Sequence, residues 1–346
     1  MKVARFYAPG DIRLEDMDEP TPAADEVKIR VRNCSTCGTD VKISKNGHQN
    51  MTPPRVMGHE IAGEVVEVGS AVSGWSTGDR VQVIAAVPDG TCEECRRGRM
   101  AVCEHQTSMG YQYEGGFAEY MIVPRQVLAV DGLNRIPDGV SFAEASVAEP
   151  LACVINGQEL ASVGEGDDVV VVGAGPIGCL HVRVARARGA RRVFLIDLNA
   201  QRLQMSAAAV SPDAVIDGST TDTVDEVLKL TDGRGADVVI TAAASGKAQE
   251  AAQHMLARGG RLSMFGGLPK DAPTVTIDAN LVHYRELTLV GANGSSPQHN
   301  KQALAMIASG EVPVADLISV HLPLDQLHEA LRIVADGEAI KVTIEP

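Results

Sequence analysis

The feature that most constrains this chain is Gly173-Ala174-Gly175-Pro176-Ile177-Gly178, which follows four consecutive valines at 169–172. A short β-branched apolar run bounded by glycine predicts a strand buried on both faces. Residues 177–188, with alanine, leucine and arginine, predict the helix that follows. In such a unit the first glycine permits a tight turn, the second lets the backbone approach a pyrophosphate, and the third lets the helix pack on the strand. The helix N-terminus adds unpaired N–H groups and the positive end of its dipole. A lone Gly-x-Gly-x-x-Gly is weak evidence, but strand before and helix after give it the context of a dinucleotide site. Asp197 ends the next strand, 19 positions beyond Gly178. A carboxylate there accepts hydrogen bonds from both ribose hydroxyls of NAD and repels the 2′-phosphate of NADP. Arg202 is expected to lie against the adenine or ribose. The expected cofactor set is Gly173, Gly175, Pro176, Ile177, Gly178, Asp197 and Arg202, with Gly266, Gly267, Ala292 and Asn293 beyond later strands.

Strands are expected at 192–196, 237–240, 260–265 and 286–290, with helical stretches between them. Repeated strand–helix units imply a parallel, doubly wound sheet. The first 150 residues read differently, as β-rich and loop-rich. Residues 27–32 alternate apolar and polar, 61–68 are rich in valine, and 79–84 are similar. Turns such as Ser73-Gly74 and Thr77-Gly78-Asp79 separate such runs. A length of 346 residues is long for one core and comfortable for two domains. The last fifty or so residues read as helix, strand, helix, strand, a segment expected to return to the first domain. The formal net charge of -14 gives no basic footprint for nucleic acid or an anionic membrane. No apolar run approaches membrane-spanning length, and the N-terminus lacks the apolar core of a signal peptide. The chain is therefore expected in the cytoplasm, where its seven cysteines stay reduced and clustered ones read as metal ligands.

Cys37-Gly38-Thr39-Asp40 and Gly58-His59-Glu60 fall in the first half, and Glu149-Pro150 at the domain junction. Thiolate, imidazole and carboxylate together suit zinc, and a catalytic zinc typically keeps three protein ligands and an open position. Spacing alone does not join residues this far apart. Taken with Cys92-x-x-Cys95-x7-Cys103, Gly115-Gly116-Phe117-Ala118-Glu119-Tyr120 and the glycine loop, however, they stand in a familiar order. Over essentially its full length the chain resembles the zinc-containing medium-chain dehydrogenases. The resemblance implies an α/β protein: a GroES-like β-barrel catalytic domain at 1–152, completed by 293–346, and a Rossmann domain at 153–292. It implies a catalytic zinc at Cys37, His59 and Glu149. Glu149-Pro150 is similar to the sorbitol and polyol dehydrogenase branch, where this carboxylate is a ligand or holds a zinc-bound water. Liver and yeast alcohol dehydrogenases have a cysteine ligand instead. Glu60 matches a carboxylate that enters the coordination or acts beside it. The cysteine cluster matches the family's structural zinc lobe, with Asp89 at the position usual for the first of four cysteines. Asp89, Cys92, Cys95 and Cys103 then form a closed site, with an empty or three-ligand lobe as the alternative. Cys34, Cys153 and Cys179 read as packing residues.

Zinc lowers the pKa of a bound alcohol as it does that of water, and hydride then passes to C4 of the nicotinamide, stacked in an interdomain cleft. Thr39 matches the family's serine or threonine that bonds the substrate oxygen and begins a proton relay. A turn-forming role is its alternative. His48, on a nearby polar loop, reads as a surface residue. The resemblance thus implies hydride transfer between NAD and a secondary alcohol, with Glu149 favouring a polyol or sugar alcohol. Threonine, glucose-type sugars and butanediol are competing substrates. The loop Tyr111-Gln112-Tyr113-Glu114 carries no arginine or lysine for a phosphorylated polyol. A reading from another class is a non-catalytic nucleotide-binding redox sensor, but zinc-less relatives lack the ligand set found here. The expected partner is a small alcohol, with no nucleic acid and no membrane. A homo-oligomer, dimer or tetramer, is expected, for which 286–290 could supply an edge strand.

Overall fold

The computed structural model describes residues 1–346, which form two compact units: Met1–Cys153 with Gly294–Pro346, and Val154–Asn293. The first unit is built on a seven-stranded sheet. Its path runs Leu133–Arg135, Arg80–Val83, Glu60–Val68, Val27–Ser35, Lys341–Glu345 and Ile318–Pro323, and Tyr120–Val123 also pairs with Val27–Ser35. A three-stranded sheet of Asp11–Asp16, Lys2–Ala8 and Arg55–Val56 accompanies it. Phe6, Ile29, Ile61, Val65, Phe117 and Met121 are shut off from water in one core. Burying each such side chain is worth about 1.5–3 kcal/mol.

Strand register positions the chemistry. Ser35 faces Glu60 across one ladder, and Thr343 faces Ser35 across the other. The end of the Val27–Ser35 strand thus brings Glu60 and the C-terminal strand beside Thr36 and Cys37. The N–H and hydroxyl of Thr36 both donate to Val342 O, at 2.9 and 3.0 Å. Just before His59, Gly58 takes a φ of +92°, and a Cβ there would come within 2.8 Å of Cys34 Sγ. Only glycine makes that turn without strain.

The second unit is a six-stranded parallel sheet in the order Ala214–Asp217, Arg192–Asp197, Asp168–Val172, Ala236–Thr241, Leu256–Met264 and Thr288–Gly291. The order reverses between the Asp168–Val172 and Ala236–Thr241 strands, and in doubly wound sheets ligands bind at the carboxyl ends of the strands beside such a reversal. Asp168–Val172 is buried along its whole length, as the valine run predicts. No helix is long and apolar enough to cross a membrane.

Candidate active site

Cys37, His59 and Glu60 each offer a ligand atom, and the three atoms lie within 4.8 Å of one another. Cys37 sits at the N-cap of the Gly38–Asn46 helix, and Glu60 opens the Glu60–Val68 strand directly after His59. Asp40, buried in the first turn of that helix, organises the group. Its Oδ2 accepts the N–H of Cys37 at 2.8 Å, and its Oδ1 lies 3.5 Å from His59 Nδ1. With Nδ1 turned toward Asp40, Nε2 is the ring nitrogen free for a metal, and the carboxylate fixes the orientation of the ring. Asp40 is not among the site residues expected from the Cys37-Gly38-Thr39-Asp40 motif; a carboxylate three residues past the cysteine is the signal for it. Burial disfavours charge on His59, but Asp40 and Cys37 outweigh it and raise its pKa well above the ordinary value. A metal would compete with that proton.

Glu149 lies in the first turn of the Ala148–Leu160 helix, buried but outside the 4.8 Å set. Its Oε1 accepts from Cys153 Sγ, one turn on, at 3.6 Å. Cys153, expected only to pack, thus touches an expected ligand. Thr39 is half-buried beside Cys37. His48 meets the Tyr111 ring edge-on with centroids 4.6 Å apart, and Tyr111 lies 6.3 Å from His59. The loop at 111–114, which carries no basic residue, therefore supplies an aromatic wall to the metal set. Burial pushes the Tyr111 hydroxyl up to about 12.

Glu60 is fully buried and forms an ion pair with Lys341, itself only 4% exposed. Burial raises the Glu60 carboxyl to about 7 against the pull of that ammonium, and burial also raises Glu149. Glu60 Oε1 has no hydrogen-bond partner. A buried carboxylate oxygen without a donor is costly unless a cation stands beside it. Thiolate, imidazole, carboxylates and that unmatched oxygen together fit a divalent zinc.

Asp89, Cys92, Cys95 and Cys103 also bring four ligand atoms within 4.8 Å of one another. Asp89 Oδ1 accepts the N–H groups of Thr91 and Cys92 at 2.8 and 2.9 Å, and these bonds hold its carboxyl well below the usual range. Cys92 and Cys103 Sγ atoms are 3.8 Å apart. Three sulfurs and one oxygen with no fifth donor suit a closed, non-catalytic zinc site.

In the second unit, Gly173 takes a φ of +112°, and a Cβ on Gly178 would lie 1.8 Å from Gly173 O. The helix that begins at Pro176 can therefore pack this closely only on glycine. Pro176 stands where its missing N–H has no intrahelical partner to lose. Asp197 accepts the Ala174 N–H at 2.7 Å and the Asn199 N–H at 2.8 Å. A cavity of about 660 Å³ is lined by Gly173, Asp197, Leu198, Arg202, Thr223 and Ala243, among others. Gly175, Pro176, Ile177 and Gly178 form the turn beside it without lining it. Gly266, Gly267, Ala292 and Asn293 also stand outside its lining. Gly266 donates to Thr241 O at 2.7 Å, and Asn293 O accepts from Asn156 Nδ2 at 3.4 Å. Leu198, 69% exposed, is a lining residue that sequence reading missed; an apolar side chain just past Asp197 was its signal.

This combination of fold and site defines a zinc-binding dehydrogenase with a GroES-like domain and a Rossmann domain. The alcohol dehydrogenase GroES-like domain profile matches residues 23–132, and the zinc-binding dehydrogenase profile matches 176–309. The chain is 31% identical over 341 residues to sorbitol dehydrogenase of Halalkalibacterium halodurans, covering 98% of this chain and 97% of that one. It is 34% identical over 335 residues to L-threonine 3-dehydrogenase of Pyrococcus horikoshii, covering 95% and 93%. It is also similar to a Sinorhizobium meliloti 1021 protein described as a zinc-binding dehydrogenase and solved bound to NADP. That TM-score is 0.91 at 30% identity, covering 100% of this chain and 99% of the other. The chain belongs to the zinc-dependent alcohol dehydrogenase family, in its polyol and threonine dehydrogenase branch, and is an oxidoreductase.

Proposed function

We propose that this enzyme oxidises a neutral polyol at a secondary carbon with NAD, at a zinc held by Cys37, His59 and Glu149 with Glu60 as an exchangeable partner. The observation that carries the reading is the acid set around Cys37 and His59: Asp40, Glu60 and Glu149, all buried. The one buried lysine there, Lys341, is already paired with Glu60. Asp40 is held by Cys37 and His59 and Glu60 by Lys341, so the surroundings are negative and offer a neutral hydroxylated substrate no competing ion pair and an anionic substrate no spare cation. A second zinc, held by Asp89, Cys92, Cys95 and Cys103, would fix the lobe.

Zinc, when bound, would lower the pKa of a substrate hydroxyl, and a bound nicotinamide would accept the hydride. Thr39, two residues past Cys37, accepts a hydrogen bond from the substrate hydroxyl and passes its own hydroxyl proton toward solvent as it takes the substrate's, so alcohol becomes ketone, the hydride goes to the nicotinamide and one proton leaves. Tyr111 and His48 wall the metal set and reduce its contact with water. Asp40 keeps His59 in the tautomer that presents Nε2. In the second unit Asp197, fixed by two N–H groups, offers its remaining lone pairs to the ribose hydroxyls and repels a 2′-phosphate. Leu198 and Arg202 give an apolar and a planar surface to the adenine. Thr288–Gly291 is the edge strand of its sheet, where a second copy would pair.

A second reading, threonine as substrate, is favoured by the 34% identity to threonine dehydrogenase and by the same acids, which would receive an ammonium group. A panel of sorbitol, xylitol, threonine, glucose, 2,3-butanediol and a phosphorylated polyol, each with NAD or NADP, separates the readings at the nicotinamide absorbance. A free polyol with NAD should give the highest kcat/KM. Threonine ahead of every polyol selects the second reading, NADP ahead of NAD removes the role given to Asp197, and zinc-loaded protein that turns over none of them sinks both readings.

A further inference from the structure

Lys341 is the first residue of the C-terminal strand, and the ladder that pairs Thr343 with Ser35 and Ile344 with Cys34 holds it in place. Its Nζ donates to Thr36 O at 2.9 Å, next to Cys37, and its ammonium meets Glu60. An ammonium this deeply buried carries a large desolvation cost and needs a partner. Glu60 in turn belongs to the 4.8 Å set with Cys37 and His59. One buried carboxylate therefore has two seats, the ammonium on one side and the metal position on the other. In the reading above, the Cys37 thiolate and the carboxylate of Glu149, which lies outside the 4.8 Å set, would balance a divalent zinc. A second carboxylate on the metal would fill the position a substrate oxygen must take and would repel negative charge developing there.

Resting on the zinc reading above, we propose that Lys341 is a positioning residue that seats the Glu60 carboxylate beside the metal rather than on it, keeping the fourth ligand position open for the substrate oxygen. With the ammonium removed, the nearest cation to this buried carboxylate is the metal, and the carboxylate swings onto it. Arginine at 341 retains the charge. Methionine retains the length and apolar stem without it.

The test uses the full chain loaded with cobalt(II), whose visible absorption is intense with four ligands and weaker with five. The contribution of the Cys92–Cys103 lobe is common to all variants and cancels in the difference spectra. Lys341→Met should show the weaker spectrum with metal retained and kcat lowered about 10–100-fold. Lys341→Arg should keep the parent spectrum and most of the rate. Glu60→Gln, with lysine in place, should also keep the parent spectrum. Lys341→Met combined with Glu60→Gln should recover the intense four-ligand spectrum. A changed spectrum in Glu60→Gln alone would make Glu60 a resident ligand and overturn the proposal, as would Lys341→Met with parent spectrum and parent kcat. Should Lys341→Met fail to fold, Lys341→Gln, which keeps a polar group toward Glu60 without the charge, takes its place: the weaker spectrum with metal retained supports the proposal, and the parent spectrum with parent kcat overturns it. A parent chain that binds no metal at Cys37 and His59 overturns the zinc reading itself, and this proposal with it.

Discussion

His181 shows how differently a single residue can behave from its neighbours' chemistry. It lies on the buried side of the Pro176–Ala187 helix, edge-on to Phe265 with centroids 4.6 Å apart, and Gln158 Nε2 sits 3.3 Å from its Nδ1. Burial, with Arg188 adding to it, pulls its pKa down to about 3. The folded chain therefore binds this proton less readily than the unfolded chain, whose histidine titrates near about 6.5. Stability is fully present above that value and falls as pH drops toward about 3, by roughly 1.4 kcal/mol per pH unit from this group. Replacing it in His181→Leu should cut that slope in urea unfolding of the metal-free chain between pH 6.5 and 5. An unchanged slope would place the pH sensitivity elsewhere. The motifs made Cys37, His59 and Asp197 legible because loop chemistry demands those residue types at those positions. Asp40 as the partner of His59, Lys341 as the partner of Glu60 and Tyr111 as a wall were not legible, because strand register and loop closure bring them in from distant sequence.

Among the elements, the strands of the second unit were readable from β-branched runs, and their departures have local causes. Residues 286–290 were expected as a strand, but it begins at Thr288 because Glu286 takes a left-handed φ of 54° to end the Ala279–Arg285 helix. The strand expected at 260–265 begins at Leu256, concealed by Gly259 and Gly260, which interrupt the apolar pattern. The lobe at 89–103 was legible only through its cysteines, since it has short turns and little apolar content to signal a fold. Its stability should therefore depend on its metal. Asp89→Cys should keep a full complement of zinc by elemental analysis, whereas Asp89→Ala should lose up to one zinc per chain and expose the lobe to limited proteolysis. Full zinc and unchanged proteolysis in Asp89→Ala would remove aspartate from the ligand set.

Over the whole molecule, two units with different architectures hold two different candidate sites. The first holds the metal set and its acids, and the second holds the glycine loop and Asp197. The change of texture near residue 150 was legible because parallel and antiparallel sheets impose different hydrophobic patterns. The return of the C-terminal segment was legible as helix, strand, helix, strand, but not that its last strand delivers a buried lysine to the metal set. In the proposed function a polyol is oxidised at a zinc held by Cys37, His59 and Glu149. This is tested most directly by following NADH formation from the best polyol as zinc is returned to metal-stripped protein. Activity should be absent without metal and should rise as zinc is bound. It should stay absent in Cys37→Ala, which still takes up the zinc of the Asp89–Cys103 lobe. Parent-rate turnover by the stripped chain, or by Cys37→Ala, would show that the reaction does not run at this metal.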